Sequence, residues 1–168
     1  MADITELIVA DHHIFRCQFA RLCDDRPDDA VVLRSLWTPL AELLERHAGA
    51  EEVAFYPYLL SDHIDAGDET TDAIRDHNKI RDAVRSAHLQ PVGSDAWWSA
   101  VFQTRKENDE HMREEEEGPL PDFVAGSTPT ERDRLASAFL AYKEEHRGAM
   151  VDTTDKDPEE YLAAHHDA

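Results

Sequence analysis

Residues 47–52 read His-Ala-Gly-Ala-Glu-Glu, and residues 111–116 read His-Met-Arg-Glu-Glu-Glu. In each stretch a glutamate follows a histidine by four positions. Residues four apart in an α-helix lie one above the other on the same face, so each pair can direct an imidazole and a carboxylate at one point. The two stretches therefore predict two helices that each carry a pair of metal ligands.

The two stretches are parts of a longer near-repeat. Upstream of them, residues 11–16 and 76–81 both fit the frame Asp-His-x-x-x-Arg, and their histidines stand 35 and 34 residues before the paired ones. Downstream, Pro57 and Pro121 each follow the paired histidine by ten residues. A near-repeat of about 65 residues with two helices per copy predicts a duplicated helical hairpin, and two such hairpins make a four-helix bundle.

The apolar residues recur at helical spacing almost throughout, which predicts an all-α chain. We expect four bundle helices, over about residues 3–24, 28–60, 69–88 and 94–118, and a fifth helix from about Thr130 that includes Met150. One domain is expected over residues 1–150. Because the chain beyond Asp152 is acidic and contains proline, residues 151–168 are predicted to be a loose, flexible tail in which His165 and His166 have no role.

Charge and composition exclude several kinds of partner and location. The formal net charge is −20 at pH 7, which opposes binding to nucleic acid or to an anionic membrane. The sequence has neither a signal-peptide pattern nor an apolar run approaching the roughly 18 residues of a membrane span. Cys17 and Cys23 are poorly placed to bond each other on one helix. Reduced thiols predict a cytoplasmic protein, and we expect a monomer or a weak homodimer.

Six residues on the predicted core faces are the candidate metal ligands: His12, His47, Glu51, His77, His111 and Glu115. A buried glutamate without a partner is costly, and no basic residue shares the faces of the two His-x-x-x-Glu pairs. Imidazole and carboxylate donors suit iron, manganese or zinc. Two six-coordinate metals need about twelve donor positions, of which these residues fill about eight. The rest are available to an oxo or hydroxo bridge and to a small ligand such as dioxygen, peroxide or nitric oxide.

The remaining polar residues near these motifs are expected to have structural or surface roles. Arg16 and Arg81 could hydrogen-bond carboxylates that support the site, or they could form surface salt bridges. Several glutamates are expected to form a solvated acidic face: Glu52, Glu114, Glu116 and Glu117. The other histidines of the bundle are predicted to be structural or exposed: His13, His63 and His88.

The order of these motifs, His, His-x-x-x-Glu, His, His-x-x-x-Glu, resembles the hemerythrin-like (HHE cation-binding) family over roughly residues 3–123. The resemblance implies an up-down four-helix bundle that encloses a non-heme di-iron centre, with two iron ions joined by an oxo or hydroxo bridge (Fe–O–Fe). It also implies that the six candidate residues are the ligands of that centre.

Two positions depart from the oxygen-carrying hemerythrins. Those proteins have a second histidine on the third helix, where this chain has Arg81, and an aspartate one residue beyond the position of Glu115. The pattern is closer to relatives linked to iron or oxygen sensing and to bacterial members linked to peroxide or nitric oxide. Water could fill the place of the missing histidine, or an aromatic side chain that could otherwise simply pack in the core: Tyr56, Tyr58, Tyr142 or His146.

These features favour a di-iron protein that binds or turns over a small oxidant. Turnover would make it an oxidoreductase that consumes peroxide or nitric oxide. The alternative is an iron- or oxygen-sensing regulatory module without turnover. Iron storage is the weakest hypothesis, because a single two-metal site holds little iron.

Overall fold

The computed structural model describes residues 2–62, 66–148 and 154–165. Within these ranges the chain forms helices and no strand, as predicted. The helices are α1 (Ile4–Phe19), α2 (Ala30–Ala54), α3 (Tyr56–Asp62), α4 (Ala66–His88), α5 (Asp95–Glu117), α6 (Pro119–Gly126), α7 (Pro129–Glu145) and α8 (Pro158–His165). The last turn after α1, Ala20–Asp24, is π-helical.

The four long helices form the bundle. Helix α1 contacts α2 and α5, while α4 contacts the same two helices, so the four close into a ring. Helix α7 packs outside the ring against α1 and α2, and α8 packs against α3 and α4. The helical-bundle prediction is therefore confirmed, with extra helices added to it.

Side-chain caps fix where the bundle helices begin. Asp3 accepts a hydrogen bond from the backbone of Thr5 at 3.0 Å, Asp29 from Val31 at 2.7 Å, and Ser94 from Trp97 at 3.2 Å. Such caps satisfy backbone N–H groups that have no partner inside the helix. Helix α2 continues past Pro39, and the chain bends at Phe55, just before Pro57.

Two apolar layers lie above and below a polar layer. On α1, Ile4 and Ile8 belong to one layer, Phe15 and Phe19 belong to the other, and His12 stands between them. Both layers also receive residues of α2 and α4, whereas α5 contributes to the second layer and α6 continues into the first. Because every helix contributes polar residues at the same level, they meet in the dry centre of the bundle.

Part of the segment that was predicted to be a loose tail forms α8. Tyr161 of this helix is buried, and its hydroxyl donates a 2.5 Å hydrogen bond to the carbonyl of Glu52. The acidic composition of the segment gave no indication that one aromatic residue, Tyr161, packs against the bundle. His165 is half-buried, whereas His63, Met150 and His166 lie outside the described residues.

Two further findings concern the cysteines and the apolar character of the helices. Cys17 and Cys23 are both free thiols. In the described ranges, no helix has the length and apolar character that crossing a bilayer requires.

Candidate metal centre

The six predicted ligand residues meet in the polar layer of the bundle. Each is at most 3% exposed, and they come from α1, α2, α4 and α5: His12, His47, Glu51, His77, His111 and Glu115. Their donor atoms form two groups in which all atoms lie within 4.8 Å of one another. One group is His12, His47, Glu51 and Glu115, and the other is Glu51, His77 and His111. Glu51 thus belongs to both.

The two oxygens of Glu51 face different imidazoles. Oε1 lies 2.9 Å from His47 Nε2, and Oε2 lies 3.3 Å from His77 Nε2. On the far side, Glu115 Oε2 lies 3.3 Å from His12 Nε2 and 3.5 Å from His111 Nε2. Each carboxylate therefore faces one imidazole of its own helix and one imidazole of a neighbouring helix.

Several inward atoms of this site lack a partner with hydrogen-bond geometry, although the Nε2 atoms of His77 and His111 lie 3.0 Å apart. Among the described residues, the buried and unpartnered atoms include His12 Nε2, His47 Nε2, both Glu51 carboxylate oxygens and Glu115 Oε2. A buried polar atom left unsatisfied costs about 1–3 kcal/mol, so such a concentration is unfavourable in an empty core. A pair of cations would satisfy all of these atoms, which means that the residues present fit a dinuclear metal site.

The outer nitrogen of three imidazoles faces a carboxylate. The Nδ1 contacts are 2.8 Å from His12 to Glu116, 3.0 Å from His47 to Asp11, and 2.8 Å from His77 to Glu52. Donation of the Nδ1 proton to a carboxylate orients the ring and leaves the Nε2 lone pair directed at the centre. Metal-binding histidines are commonly held in this way.

The same carboxylates control protonation in the metal-free site. Burial lowers the pKa of His47, but Glu51 and Asp11 outweigh burial and raise that pKa to about 10. Burial lowers the pKa of His77, but the Glu51 and Glu52 carboxylates that face its two ring nitrogens outweigh burial and raise that pKa to about 9. Burial would raise the pKa of Glu51, yet His47 and the other imidazoles hold it well below its ordinary value. The metal-free site therefore stores protons that a bound cation must displace.

A family model described as hemerythrin HHE cation binding domain matches residues 3–123. The chain belongs to this family. Searches of curated proteins and of solved structures found no match. The matched part of the hemerythrin domain contains all six clustered residues, whereas α7 and α8 lie beyond it.

In this hemerythrin domain, the prediction of a solvated acidic face was wrong for Glu52. Its side chain is fully buried, accepts hydrogen bonds from His77 and Arg81, and pairs with Lys156. Glu116 is 30% exposed and also holds an imidazole, so only Glu114 and Glu117 lie on the solvated face as predicted. The second glutamate of each His-x-x-x-Glu-Glu stretch is thus turned toward a neighbouring helix.

Arg81, which stands where oxygen carriers have a histidine, supports the site from outside. It is 3% exposed, and its guanidinium donates to Glu45 at 2.9 Å and to Glu52 at 3.0 Å. Arg16 holds Glu116 at 2.9 Å in the matching way, although its side chain is 43% exposed. Each arginine of the repeated frame therefore donates a hydrogen bond to a carboxylate, and that carboxylate holds an imidazole in place.

Of the predicted extra aromatic ligands, Tyr56 lies at the site. Its buried hydroxyl donates to Glu115 Oε1 at 2.8 Å, and its ring lies against His77. Tyr58 is directed elsewhere, since its ring packs edge-on against Phe123 and the Arg134 guanidinium lies 5.8 Å from the ring centroid.

The other two candidates lie on α7 and just after it. Tyr142 stacks on His146 with 4.0 Å between ring centroids, and His146 bonds the carbonyl of Tyr142. Tyr142 also packs over Gly49, because an added Cβ at Gly49 would stand 2.7 Å from its Cζ. Gly49 therefore allows α7 to approach α2 between His47 and Glu51.

Some functional residues carried weaker signals in the sequence. Asp11, Glu52 and Glu116 all belong to the repeated frame, so the repeat itself could have indicated them. Lys143, which pairs with Asp11, and Lys156, which pairs with Glu52, lie outside the repeat and leave no such signal.

Two cavities adjoin the centre. One of about 10 Å³ is bounded by three imidazoles, those of His47, His77 and His111, and by the polar side chains of Arg81 and Asn108. The other is a cleft of about 310 Å³ that reaches His111 and Glu115. Its rim carries five carboxylates and one arginine: Glu69, Asp72, Asp76, Glu114, Glu117 and Arg113.

Proposed function

We propose that this hemerythrin-domain protein holds two non-heme iron ions at the six-residue site and binds or turns over a small oxidant, namely dioxygen, peroxide or nitric oxide. The observation that carries the proposal is the set of buried, unpartnered donor atoms grouped around Glu51. Nitrogen and oxygen donors without a thiolate suit iron. When bound, iron would supply the electrons and open coordination positions that such chemistry needs.

The size of the inner cavity supports a small ligand. A volume of about 10 Å³ is close to what a single water molecule requires, so a diatomic molecule or peroxide suits it better than an organic substrate. Its walls combine imidazoles with Asn108, which is 2% exposed and can donate a hydrogen bond through its amide. The apolar layers above and below keep bulk water away.

The outer cleft supports entry of neutral molecules and cations. Its rim is acidic even though Arg75, Lys79 and Arg113 pair with some of its carboxylates. A rim of this charge favours ferrous iron and does not oppose dioxygen, peroxide or nitric oxide, whereas anions are repelled.

Tyr56 is the aromatic residue best placed to act as an additional ligand. Burial, together with the nearby Glu115 and Glu51 carboxylates, raises its pKa well above the ordinary value, so it is a neutral phenol in the metal-free site. It donates its proton to Glu115 and thereby leaves Glu115 Oε2 free to face the imidazoles. We propose that it either keeps this supporting role or binds iron directly.

A sensing role without turnover is the second candidate, and one observation favours it. The C-terminal segment contacts Glu52, which in turn holds His77, so the state of the site is connected to a surface element. A sensor would change the packing of this segment when the metals bind or change their oxidation state.

The decisive experiment is anaerobic loading with ferrous iron, followed by metal analysis and an optical spectrum. We expect about two irons per chain and, after oxidation, near-ultraviolet absorption of a bridged ferric pair, with a visible band if Tyr56 binds iron. Rapid loss of added peroxide or nitric oxide would show turnover, whereas an oxygen adduct released under vacuum would show carriage. A reversible change of shape without turnover would show sensing. Saturation below about one iron per chain would contradict the proposal.

A further inference from the structure

The C-terminal segment, residues 154–165, is fastened to the bundle at the level of the metal centre. Asn78 donates to the carbonyl of Lys156 at 2.7 Å and accepts from its backbone N–H at 3.0 Å. The Lys156 ammonium pairs with Glu52, and the Tyr161 hydroxyl bonds the backbone carbonyl of Glu52. Arg85 pairs with Asp155 at 2.7 Å. One residue of α2, Glu52, is therefore held through its side chain and its backbone by the same distant segment.

Lys156 balances charge at a buried position. The carboxylates of Glu45 and Glu52 lie on either side of the Arg81 guanidinium, so that two buried anions face one arginine. Lys156 supplies a second cation and reaches Glu52 from the solvent side, with 40% of its own side chain exposed. Without Lys156, a buried carboxylate would lose one of its partners.

Among the described residues, no C-terminal side chain covers Glu116, the counterpart of Glu52 in the other half of the repeat. There Glu116 holds His12 and is itself held by Arg16, but Glu116 is 30% exposed, whereas the side chain of Glu52 is fully buried. The two halves share the relay of arginine, carboxylate and imidazole. They differ in that the described C-terminal residues close over only one of them.

We propose that the C-terminal segment is a latch in which Lys156 and Tyr161 are positioning residues: they hold Glu52 on His77 and so complete the metal position formed by Glu51, His77 and His111. This inference rests on the proposed function and adds that the two metal positions are not equivalent. The position with His77 retains its metal only while the latch is closed, whereas the position with His12 and His47 does not depend on it.

The test uses the full-length protein loaded with ferrous iron and then mixed with an excess of a ferrous chelator, so that iron release is followed in time. Lys156→Met keeps the aliphatic stem and removes the charge, and Tyr161→Phe removes one hydroxyl. We expect the double variant to release about one iron per chain at least tenfold faster than the wild type, with the second iron released at the wild-type rate. Each single variant should show a smaller effect on the same iron.

Matched controls separate a local effect from general loosening. Glu160→Gln changes an exposed residue of α8, the helix that carries Tyr161, and should leave the release rates of both irons unchanged. Arg16→Met weakens the matching relay in the other half and should not accelerate the iron that the latch variants release. Far-ultraviolet circular dichroism and the thermal midpoint of each metal-free variant report whether the fold is intact. Should the double variant not fold, the single Lys156→Met variant decides the question.

Two results would overturn the latch. Wild-type release rates in the Lys156→Met variant would show that the segment does not hold the site, and equal acceleration of both irons would show a general loss of stability. Failure of the wild-type protein to bind iron would instead contradict the proposed function, so the two failures are distinguishable.

Discussion

Arg16 and Arg81 occupy equivalent positions in the two halves of the repeat, and each donates a hydrogen bond to a carboxylate that holds a metal-facing imidazole. Arg16 reaches His12 through Glu116, and Arg81 reaches His77 through Glu52. The Arg16 side chain is 43% exposed and that of Arg81 is 2% exposed. The same arrangement of arginine, carboxylate and imidazole is therefore solvent-accessible in the first case and buried in the second. This difference in burial determines how the two arginines contribute to stability.

Replacement of the arginines should have unequal costs. Arg81→Met leaves Glu45 and Glu52 with a missing partner inside the protein, and loss of one partner from a buried pair costs about 3–5 kcal/mol. Arg16→Met breaks a partly exposed pair, which costs about 0–1 kcal/mol. Urea unfolding of the metal-free proteins measures both values. Equal losses would show that burial does not distinguish the two relays.

Glu51 should be indispensable for iron binding, because its two oxygens face both metal positions. Glu51→Ala is expected to reduce bound iron from about two per chain to well below one, since the shared carboxylate is lost. Glu114→Ala removes an exposed glutamate from the same acidic region and serves as the control. Iron analysis after gel filtration checks the outcome, and unchanged iron in Glu51→Ala would mean that the assigned ligands are wrong.

The metal-free protein should lose stability as the pH rises above about 6.5. The folded-state pKa values of about 10 for His47 and about 9 for His77 lie above their ordinary value of 6.5. A group whose pKa is raised by folding contributes its full stabilisation below the pKa that it has in the unfolded chain. That contribution disappears as the pH rises through the pKa that it has in the folded protein. Unfolding free energies measured between pH 6 and pH 10 test this. Iron-loaded protein should not show the same decline, because its imidazoles bind metal rather than protons.

At acid pH the folded protein should lose stability as the pH falls. The pKa of Glu52 is lowered to about 2, so its stabilising contribution is present above about pH 4.5 and is lost as the pH falls toward 2. Glu52→Gln should flatten this acid limb of the stability profile, and an unchanged limb would assign acid sensitivity to other carboxylates.

Asn108 should determine affinity for the small ligand without affecting metal content. Asn108→Leu fills the cavity of about 10 Å³ and removes its amide donor, so nitric oxide binding to the ferrous iron-loaded protein should weaken at least tenfold. Gln103→Leu alters an exposed residue of the same helix and should leave nitric oxide affinity unchanged. Optical titration gives the Kd values. An unaltered Kd for Asn108→Leu would place the ligand elsewhere.

Much of the centre follows from spacing alone, because a histidine and a glutamate four apart must share a helical face. That geometry, repeated after about 65 residues, predicted the bundle and the six buried residues that meet within it. The role of Glu52 could not be predicted in the same way. Its burial depends on Lys156 and Tyr161, more than 100 positions away, and long-range pairing of this kind leaves no periodic trace in the chain. Helix α8 and its contact through Tyr161 were not predicted for the same reason, since composition reports average polarity and not the few side chains that make contacts.

Two of the imidazole supports are exchanged between the two hairpins: the first hairpin supplies Glu52 to His77, and the second supplies Glu116 to His12. The two groups of donor atoms are shared in the same way, because Glu115 of the second hairpin completes the group with His12 and His47, and Glu51 of the first completes the group with His77 and His111. Neither hairpin alone supplies a complete group, so two hairpins must be joined, in one chain or as separate copies, before either group is assembled.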